Sequence, residues 1–311
     1  MSRIMLALGG NALGNGPQEQ LQIVKESARS VVDLIEQGHE VVIAHGNGPQ
    51  VGMINLGMEV ASQNDERVKA MPLPESGAMS QGYIGYHLQN AIGSELRKRD
   101  INKDVTTVVT QVLVDENDSS FAKPTKPIGA FYTKEQAEKL QEEKSYQMIE
   151  DSGRGFRRVV ASPEPVDIIE KNSVNSLLNN NHVVITVGGG GIPVAKKGYQ
   201  LEGVEAVIDK DLASEKMAEV IDADFLFILT AVDRVCINFG KKTEEELAEM
   251  SVEEAYNYIN QGQFPAGSML PKVKSAVKFV QSKTGRKSII ASLAKAEAAL
   301  LGNSGTIVYA E

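Results

Sequence analysis

The chain has 311 residues, 42% hydrophobic and 23% charged, which is long enough to bury a core without disulfides and predicts about two compact units. Its net charge of −9 and its 5% aromatic content argue against a nucleic-acid partner and against an anionic membrane surface, since both would repel an acidic protein. The lone cysteine, Cys236, excludes an internal disulfide, and the short apolar run at residues 4–8 is no signal-peptide core, so we expect a cytoplasmic protein.

Short β-type runs alternate with segments of helical periodicity along the chain. Strands are predicted at residues 4–8, 41–44, 105–113, 183–187, 225–229 and 288–290, and the run at 105–113 has the apolar character of a strand covered on both faces. Helices are predicted over residues 21–35 with Gly38 as the C-terminal cap, and over 79–96, 212–221, 251–261 with a capping box, and 273–282. This alternation predicts an α/β fold with a mainly parallel sheet and helices on both faces.

One stretch, residues 115–158, interrupts this alternation. It is rich in charge, contains Pro124 and Pro127, and includes a polar run at residues 133–150 that has helical character. Its composition allows two interpretations, a solvated surface insertion or a small lid subdomain over a site.

Glycine-containing turns follow several of the predicted strands. They are Gly9-Gly10-Asn11, Gly46-Asn47-Gly48, Gly188-Gly189-Gly190-Gly191, the pair Gly77 and Gly82, and Gly267-Ser268-Met269. Any one of them could be only a tight turn, because glycine adopts positive φ at little cost. Together, at the carboxyl ends of parallel strands, they predict a cradle of backbone N–H groups for a polyanion.

The sequence has none of the standard motifs that bind nucleotide phosphates. There is no Walker motif, no dinucleotide fingerprint opening the first helix, and no protein-kinase catalytic loop. The four histidines show no metal-ligand spacing, so no metal site is predicted from protein ligands, and Cys236 lies in an apolar run typical of a structural thiol.

Three lysines lie where a cation is unusual. Lys210 precedes a predicted helix, Lys272 follows Pro271 at another helix start, and Lys126 precedes Pro127. Each could be an ordinary surface lysine, but the helix dipole disfavours a cation at a helix start unless an anion binds there too. Lysines from separate segments, positioned by Asp211 and aided by Mg²⁺, suit phosphoryl transfer, which needs positioning and positive charge more than covalent chemistry.

These residues resemble the motifs of the carbamate kinases, a branch of the amino acid kinase superfamily. The resemblance runs from Ala7 to Ile307 and is carried by residues 7–12, 45–52, 80–83, 123–129, 184–193, 207–211, 229–233 and 267–273. It implies an amino acid kinase-like three-layer α/β/α sandwich around a mainly parallel sheet, as one domain over residues 1–311. The lobe at about 1–200 would take the acid substrate, the lobe at about 201–311 would take the nucleotide, and residues 115–158 would form a lid.

The same resemblance implies an activity. Such enzymes are homodimers that transfer a phosphoryl group reversibly between ATP and carbamate, with Mg²⁺, and give ADP and carbamoyl phosphate, often towards ATP in arginine fermentation. The catalytic residues would be Lys210, Lys272, Asp211 and Lys126. The phosphate and acid substrate would be held by Gly9, Gly10, Asn11, Gly46, Asn47, Gly48, Gly188, Gly189 and Gly190. The nucleotide would lie near Thr230, Ala231, Val232, Asp233 and Met269.

A few positions depart from the family pattern. Ala130 and Ala161 stand where prolines are usual, Cys236 stands where an aromatic residue is common, and Pro265-Ala266 reverses the usual order. The first change bears on the rigidity of the lid, because losing a proline frees the backbone, and the last bears on nucleotide affinity. Two other hypotheses stay open: a kinase of another acid such as glutamate or aspartate, and a nucleotide-binding protein without activity.

Overall fold

The structure, a computed structural model, describes residues 1–9, 13, 16–151 and 153–310. The strands are β1 Arg3–Leu8, β2 Glu40–His45, β3 Val105–Thr107, β4 Gln111–Val114, β5 Lys126–Tyr132, β6 Gln147–Glu150, β7 Phe156–Val160, β8 Pro165–Ile168, β9 Val183–Ile185, β10 Ile192–Lys197, β11 Gln200–Gly203, β12 Phe225–Thr230, β13 Val235–Ile237, β14 Glu245–Leu247, β15 Glu249–Ser251, β16 Lys287–Ser292 and β17 Thr306–Tyr309. The helices are α1 Pro17–Glu36, α2 Gly48–Asn64, α3 Leu73–Lys98, α4 Ser119–Ala122, α5 Lys134–Lys144, α6 Lys171–Asn179, α7 Lys210–Val220, α8 Val252–Asn260, α9 Met269–Ser282 and α10 Ala296–Leu300.

The main sheet is largely parallel. Over the described residues it has eight strands in the order β15-β17-β16-β12-β1-β2-β9-β3, with neighbours parallel except for the antiparallel pair of β16 and β17. In β1 and β2, Leu8 is paired with His45, and in β1 and β12, Ala7 is paired with Ile228. The carboxyl ends of β1, β2 and β12 therefore lie side by side, where an open parallel sheet binds ligands.

Alternate residues of the central strands enter two separate hydrophobic cores. Ile4 and Leu6 pack with residues of α1 and α3 on one face, and Met5 packs with residues of α7 and α9 on the other. Because successive side chains of a strand point to opposite faces, the fully apolar runs in the sequence are those of strands covered on both sides. The predicted three-layer α/β/α fold is confirmed.

Local helix signals in the sequence were read correctly at several ends. Gly38 follows the end of α1 with a φ of +88°, and its N–H donates to the Ile35 carbonyl at 3.0 Å. Ser251 and Glu254 form the capping box that starts α8. The prediction for α9 was too short, because the helix begins at Met269 and so includes Pro271 within its first turn, where a proline is tolerated.

The prediction of one strand at residues 105–113 is wrong. β3 is a half-buried edge strand of the main sheet, and β4 belongs to a second sheet ordered β11-β10-β4-β8. Between them the Thr110 N–H donates to Gln81 Oε1 at 2.8 Å, and the Thr110 hydroxyl donates to the Val108 carbonyl at 2.8 Å. Side-chain hydrogen bonds therefore redirect the backbone within a run whose β-branched, largely apolar composition resembles one continuous strand. Likewise, β9 ends at Ile185, two residues before the predicted end.

The insertion is a folded unit built mostly of strands. The polar run at residues 133–150 is not one helix, because α5 ends at Lys144, Ser145 after it adopts a left-handed φ of 54°, and β6 follows. β5, β7 and β6 form an antiparallel sheet in that order. This unit packs on α2 so closely that a Cβ atom added to Gly52 would lie 2.1 Å from the Cα atom of Gly129.

Along the described residues, no helix combines the length and the apolar character needed to cross a bilayer.

Candidate active site

Three loops meet at the carboxyl edge of the main sheet. The Gly46 N–H after β2 donates to the Leu8 carbonyl of β1 at 3.2 Å. A Cβ atom at Gly9 would lie 2.8 Å from the Leu229 carbonyl oxygen of β12, so the backbone can pass at this point only without a side chain. The predicted turns after β1 and β2 therefore lie together, although Gly10 and Asn11 fall outside the described residues.

The first turn of α7 begins with an aspartate cap. Asp209 is the N-cap residue, and its Oδ1 accepts a hydrogen bond from the Asp211 N–H at 2.9 Å. Lys210 is the first residue of the helix, and Asp211 is 3% exposed. Capping of this kind satisfies a free N–H group at the helix start and fixes the direction in which Lys210 and Asp211 project.

The structure brings Lys210, Asp211 and Lys272 together. The Lys210 Nζ is bonded to one carboxylate oxygen of Asp211, and the Lys272 Nζ lies 2.9 Å from the other. The stem of Lys210 runs beside Gly46, where an added Cβ would lie 3.5 Å from the Lys210 Cδ. One carboxylate therefore fixes two ammonium groups that come from different helices.

Burial and charge act against each other within this group of three. Burial would raise the pKa of Asp211, but the ammonium groups of Lys210 and Lys272 outweigh it and hold the pKa of this carboxyl well below its usual range. Burial lowers the pKa of Lys210 although Asp211 opposes the shift, whereas for Lys272 the attraction of Asp211 outweighs burial and raises the pKa. The two lysines therefore differ in how easily they lose a proton.

Lys126 reaches the same helix start from the insertion. It is the first residue of β5, and its Nζ is bonded to Oδ2 of Asp209, the cap of α7. The sequence analysis did not select Asp209 as a site residue. An aspartate before a helix indicates a cap, but nothing in the local pattern indicates an ion pair with a residue 83 positions away.

One cavity, of about 530 Å³, lies between the insertion, the loop after β2 and the segment before α9. Its lining includes Gly46, Asn47, Gly48, Lys126, Asp151, Arg154, Arg157, Gly189, Lys210, Pro265, Gly267 and Ser268. We call it the acid-side cavity, since the acid substrate is predicted at its residues 46–48 and 189. Arg154 and Arg157 were missed by the sequence analysis, because arginines in a charge-rich insertion are not distinguishable from surface residues by pattern alone.

The glycine turn at residues 188–190 rests on two buried side chains. Cβ atoms added to Gly188 and Gly189 would lie 2.3 Å from His45 Nε2 and 2.0 Å from Asn47 Nδ2. Asn47 Nδ2 donates to Ser80 Oγ at 2.8 Å, which holds the amide under the turn. Burial lowers the pKa of His45 to about 4, so the imidazole is neutral near pH 7. Of the three predicted glycines, Gly189 lines the acid-side cavity.

A second cavity, of about 340 Å³, is lined by Lys272, the other lysine that pairs with Asp211. It is lined by Gly9, Ile23, Glu26, Ser27, Ser30, Leu229, Thr230, Ala231, Lys272, Leu293 and Ala294. We call it the nucleotide-side cavity, since the nucleotide is predicted near its residues Thr230 and Ala231. Lys210 lines the first cavity and Lys272 lines the second, so the ion-paired group stands between the two.

The residues predicted for the nucleotide divide into two groups. Thr230 and Ala231 line the nucleotide-side cavity with Lys272. Asp233 instead accepts a hydrogen bond from the Ser292 hydroxyl at 2.7 Å and pairs with Lys295, while Met269 packs against the core at the start of α9. Val232 is half-buried beside Asp233. The described part of the chain holds no group of three histidine, cysteine, aspartate or glutamate side chains placed to bind a metal ion.

Comparison with known proteins identifies the family to which the chain belongs. The model of the amino acid kinase family matches residues 2–292. A carbamate kinase of Clostridium perfringens is 57% identical over 309 residues, covering 98% of each chain, and the carbamate kinase-like protein YqeA of Escherichia coli is 54% identical over 306 residues with the same coverage. Among solved structures, a carbamate kinase from Giardia lamblia bound to AMP-PNP has a TM-score of 0.90 and 40% identity, and the match covers 100% of this chain and 99% of that one.

Proposed function

Because the chain belongs to the amino acid kinase family, and within it to the carbamate kinases, we propose that it catalyses reversible phosphoryl transfer between ATP and carbamate, with ADP and carbamoyl phosphate as the other pair. The observation that carries this proposal is the position of Lys210, Asp211 and Lys272 between two cavities. A phosphoryl group passing from one cavity to the other would move along these two ammonium groups.

In the forward direction, an oxygen of carbamate attacks the γ-phosphorus of ATP. The bond from phosphorus to the β,γ-bridging oxygen breaks, and ADP leaves with the bonding electron pair. Negative charge spreads over the transferring oxygens and the bridging oxygen, and preorganised cations stabilise this charge better than water does. Lys210, on the acid side, and Lys272, on the nucleotide side, would stabilise the negative charge on these oxygens. Asp211 would hold both lysines in place without taking part in bond making.

The glycine loops would bind the phosphates through their backbones. A side chain at Gly9 would obstruct β12, so an anion could approach the backbone closely at this turn. The Gly46 N–H is already bonded to the Leu8 carbonyl, so the loop after β2 would bind through Asn47 and Gly48. Asn47, Gly48 and the turn at residues 188–190 would surround the acid substrate, and Thr230 with Ala231 would contact the nucleotide. The predicted contributions of Gly10, Asn11, Val232, Asp233 and Met269 stay predictions.

Magnesium would enter with the nucleotide as part of the substrate. The carboxylates beside the lysines are already engaged, Asp211 by two lysines and Asp209 by Lys126, and Asp151 pairs with Arg157. This fits Mg²⁺ held mainly by nucleotide phosphates and water, which is its usual coordination in kinases. When bound, the ion neutralises phosphate charge that the lysines do not reach.

The insertion would act as the lid, because it carries Lys126 to the acid-side cavity from a unit that packs separately on α2. We propose the lobe division at about residue 200 on the same basis, with the acid-side loops before it and β12 after it. The homodimer, the cytoplasmic location and the direction towards ATP in arginine fermentation stay predictions. Light scattering on the purified protein would show whether it is a homodimer.

The decisive experiment is ATP formation from ADP, Mg²⁺ and carbamoyl phosphate, followed with a coupled assay against controls without enzyme and without Mg²⁺. We expect Mg²⁺-dependent ATP well above both controls, and no comparable rate with acetyl phosphate. A faster reaction with another acyl phosphate would favour a kinase of another acid. Nucleotide binding in a thermal-shift assay without turnover of any acyl phosphate would refute the kinase activity itself.

A further inference from the structure

Two arginines of the insertion line the acid-side cavity without belonging to any motif of the sequence. Arg154 lies in the hairpin between β6 and β7, and Arg157 is the second residue of β7. Both line the same cavity as Lys126 and Lys210. The insertion therefore contributes three cationic side chains to this cavity.

The two guanidinium groups share one support. The ring of Phe131 lies 4.7 Å from the Arg154 guanidinium carbon and 5.1 Å from that of Arg157. The Asp151 carboxylate accepts a hydrogen bond from Arg157 Nη1 at 3.1 Å and lies 3.5 Å from Arg154 Nη2. An aromatic face and a carboxylate restrict both side chains to this side of the hairpin, so less conformational entropy is lost when they bind a ligand.

Arg157 is the better buried of the pair. Its side chain is 13% exposed, against 62% for Arg154. Within the described residues its Nε–H group is buried and has no hydrogen-bond partner. A guanidinium has five N–H donors, and a buried donor without a partner is unfavourable, so this side chain has capacity for a further acceptor.

The charge of the cavity indicates what that acceptor is. Among the described residues, its lining has four cationic side chains, Lys126, Arg154, Arg157 and Lys210, and one carboxylate, Asp151. Counting Asp209 and Asp211, which pair with Lys126 and Lys210, four cations still face three carboxylates. This surplus of positive charge occurs in a protein with a net charge of −9. A monoanionic carboxylate needs fewer cations than a phosphate dianion, and the planar guanidinium fork suits phosphate oxygens through paired hydrogen bonds.

We propose that Arg154 and Arg157 bind the phosphate group of carbamoyl phosphate and determine the affinity of the site for this acyl phosphate. The inference rests on the proposed function and adds two substrate-binding residues to it. The nucleotide-side cavity is lined by neither arginine, so ADP should not depend on them.

The test replaces each arginine by glutamine and measures the KM for carbamoyl phosphate and for ADP separately in the ATP-forming direction. Because hydrogen bonds to charged groups are worth more than neutral ones, we expect the KM for carbamoyl phosphate to rise about tenfold or more in each variant. We expect the KM for ADP to stay within about twofold, since ADP makes neither contact. Arg157→Lys should give an intermediate KM, because lysine keeps the charge and loses the paired geometry.

The matched control is Lys139→Gln. Lys139 lies on α5 of the same insertion, is 71% exposed and pairs with Glu143 at the surface, so this change removes the same charge away from the cavity. It should leave both KM values unchanged. An equal rise in this control would assign the effect to general charge and would overturn the proposal.

Three other results would also overturn it: an unchanged KM for carbamoyl phosphate, a KM for ADP that rises in step, or a loss of kcat alone. If Arg157→Gln does not fold, as judged by circular dichroism, the more exposed Arg154→Gln decides the question. Failure of the wild-type protein to form ATP would refute the proposed function. Wild-type activity with unchanged variants would refute only the role of the arginines.

Discussion

The Nζ atom of Lys272 lies 2.9 Å from Oδ2 of Asp211, and this ion pair joins the first turn of α9 to the first turn of α7. A cation in the first turn of a helix is opposed by the helix dipole, and here two such turns each contribute one. Asp211 compensates both lysines only in part. The local field therefore stays positive, and a phosphate bound between the two cavities would neutralise the remaining positive charge of the lysines.

Lys210→Met should reduce kcat for ATP formation by about 10²- to 10³-fold, because a preorganised cation on the transferring oxygens is among the largest single contributions to such a reaction. Lys274→Met is the control, since Lys274 is an exposed residue of α9. The coupled assay measures both variants, with thermal melting to show that each is folded. A Lys210→Met enzyme within about threefold of wild type would contradict the assigned role.

Asp211→Asn should move the alkaline limb of the kcat–pH profile to lower pH. Burial already lowers the pKa of Lys210, and Asp211 opposes that shift, so removing the carboxylate lowers the pKa further. Lys210 acts in its protonated form, and the variant therefore loses activity at a lower pH as the pH rises.

The ionisation of Asp211 itself does not interfere with this measurement. Its pKa in the folded protein is held below the ordinary value, so the stability that it contributes is present above about pH 4 and is lost only as the pH falls through the folded pKa. Between pH 6 and 10 the profile thus reports the lysines. Coincident alkaline limbs for the variant and the wild type would contradict the prediction.

Gly189→Ala should lower kcat/KM for carbamoyl phosphate by about 10²-fold, because the new Cβ would collide with Asn47 and displace the turn at the acid-side cavity. Gly198→Ala is the matched control. Gly189 and Gly198 have φ values of +65° and +64°, so both alanines meet backbone strain of about 1–2 kcal/mol, but the surroundings of Gly198 are open. Equal kinetic losses in the two variants would assign the effect to strain alone.

Gly52→Ala should destabilise the protein by about 1–3 kcal/mol and raise the KM for carbamoyl phosphate, because it forces α2 away from the insertion at Gly129. Gly57→Ala lies one helical turn further along α2, with open space around it, and should be neutral or stabilise by about 0.5–1 kcal/mol. Urea unfolding compares the two. If both variants unfold at the same urea concentration, the close contact does not position the insertion.

The elements of the main sheet could be predicted because their patterns are local. Residues 4–8 and 225–229 are apolar without interruption, as strands covered on both faces must be, and Gly38, Ser251 and Glu254 mark helix ends through their own backbone bonds. The prediction failed at Thr110, where a hydrogen bond to Gln81 redirects an apolar run into a second sheet. Hydrophobic periodicity carries no record of such a bond between distant residues.

The candidate site was predictable to the extent that its residues occur in contiguous motifs. By itself the sequence determined the α/β class, the glycine turns at strand ends and the three lysines beside turns, because backbone freedom and apolar periodicity depend on neighbouring residues. Only the tertiary structure decided that Lys126 meets Asp209, that the two lysine partners of Asp211 line different cavities, and that Arg154 and Arg157 line one of them. These relationships depend on how separate elements pack, and packing is set by the whole core and not by any one segment.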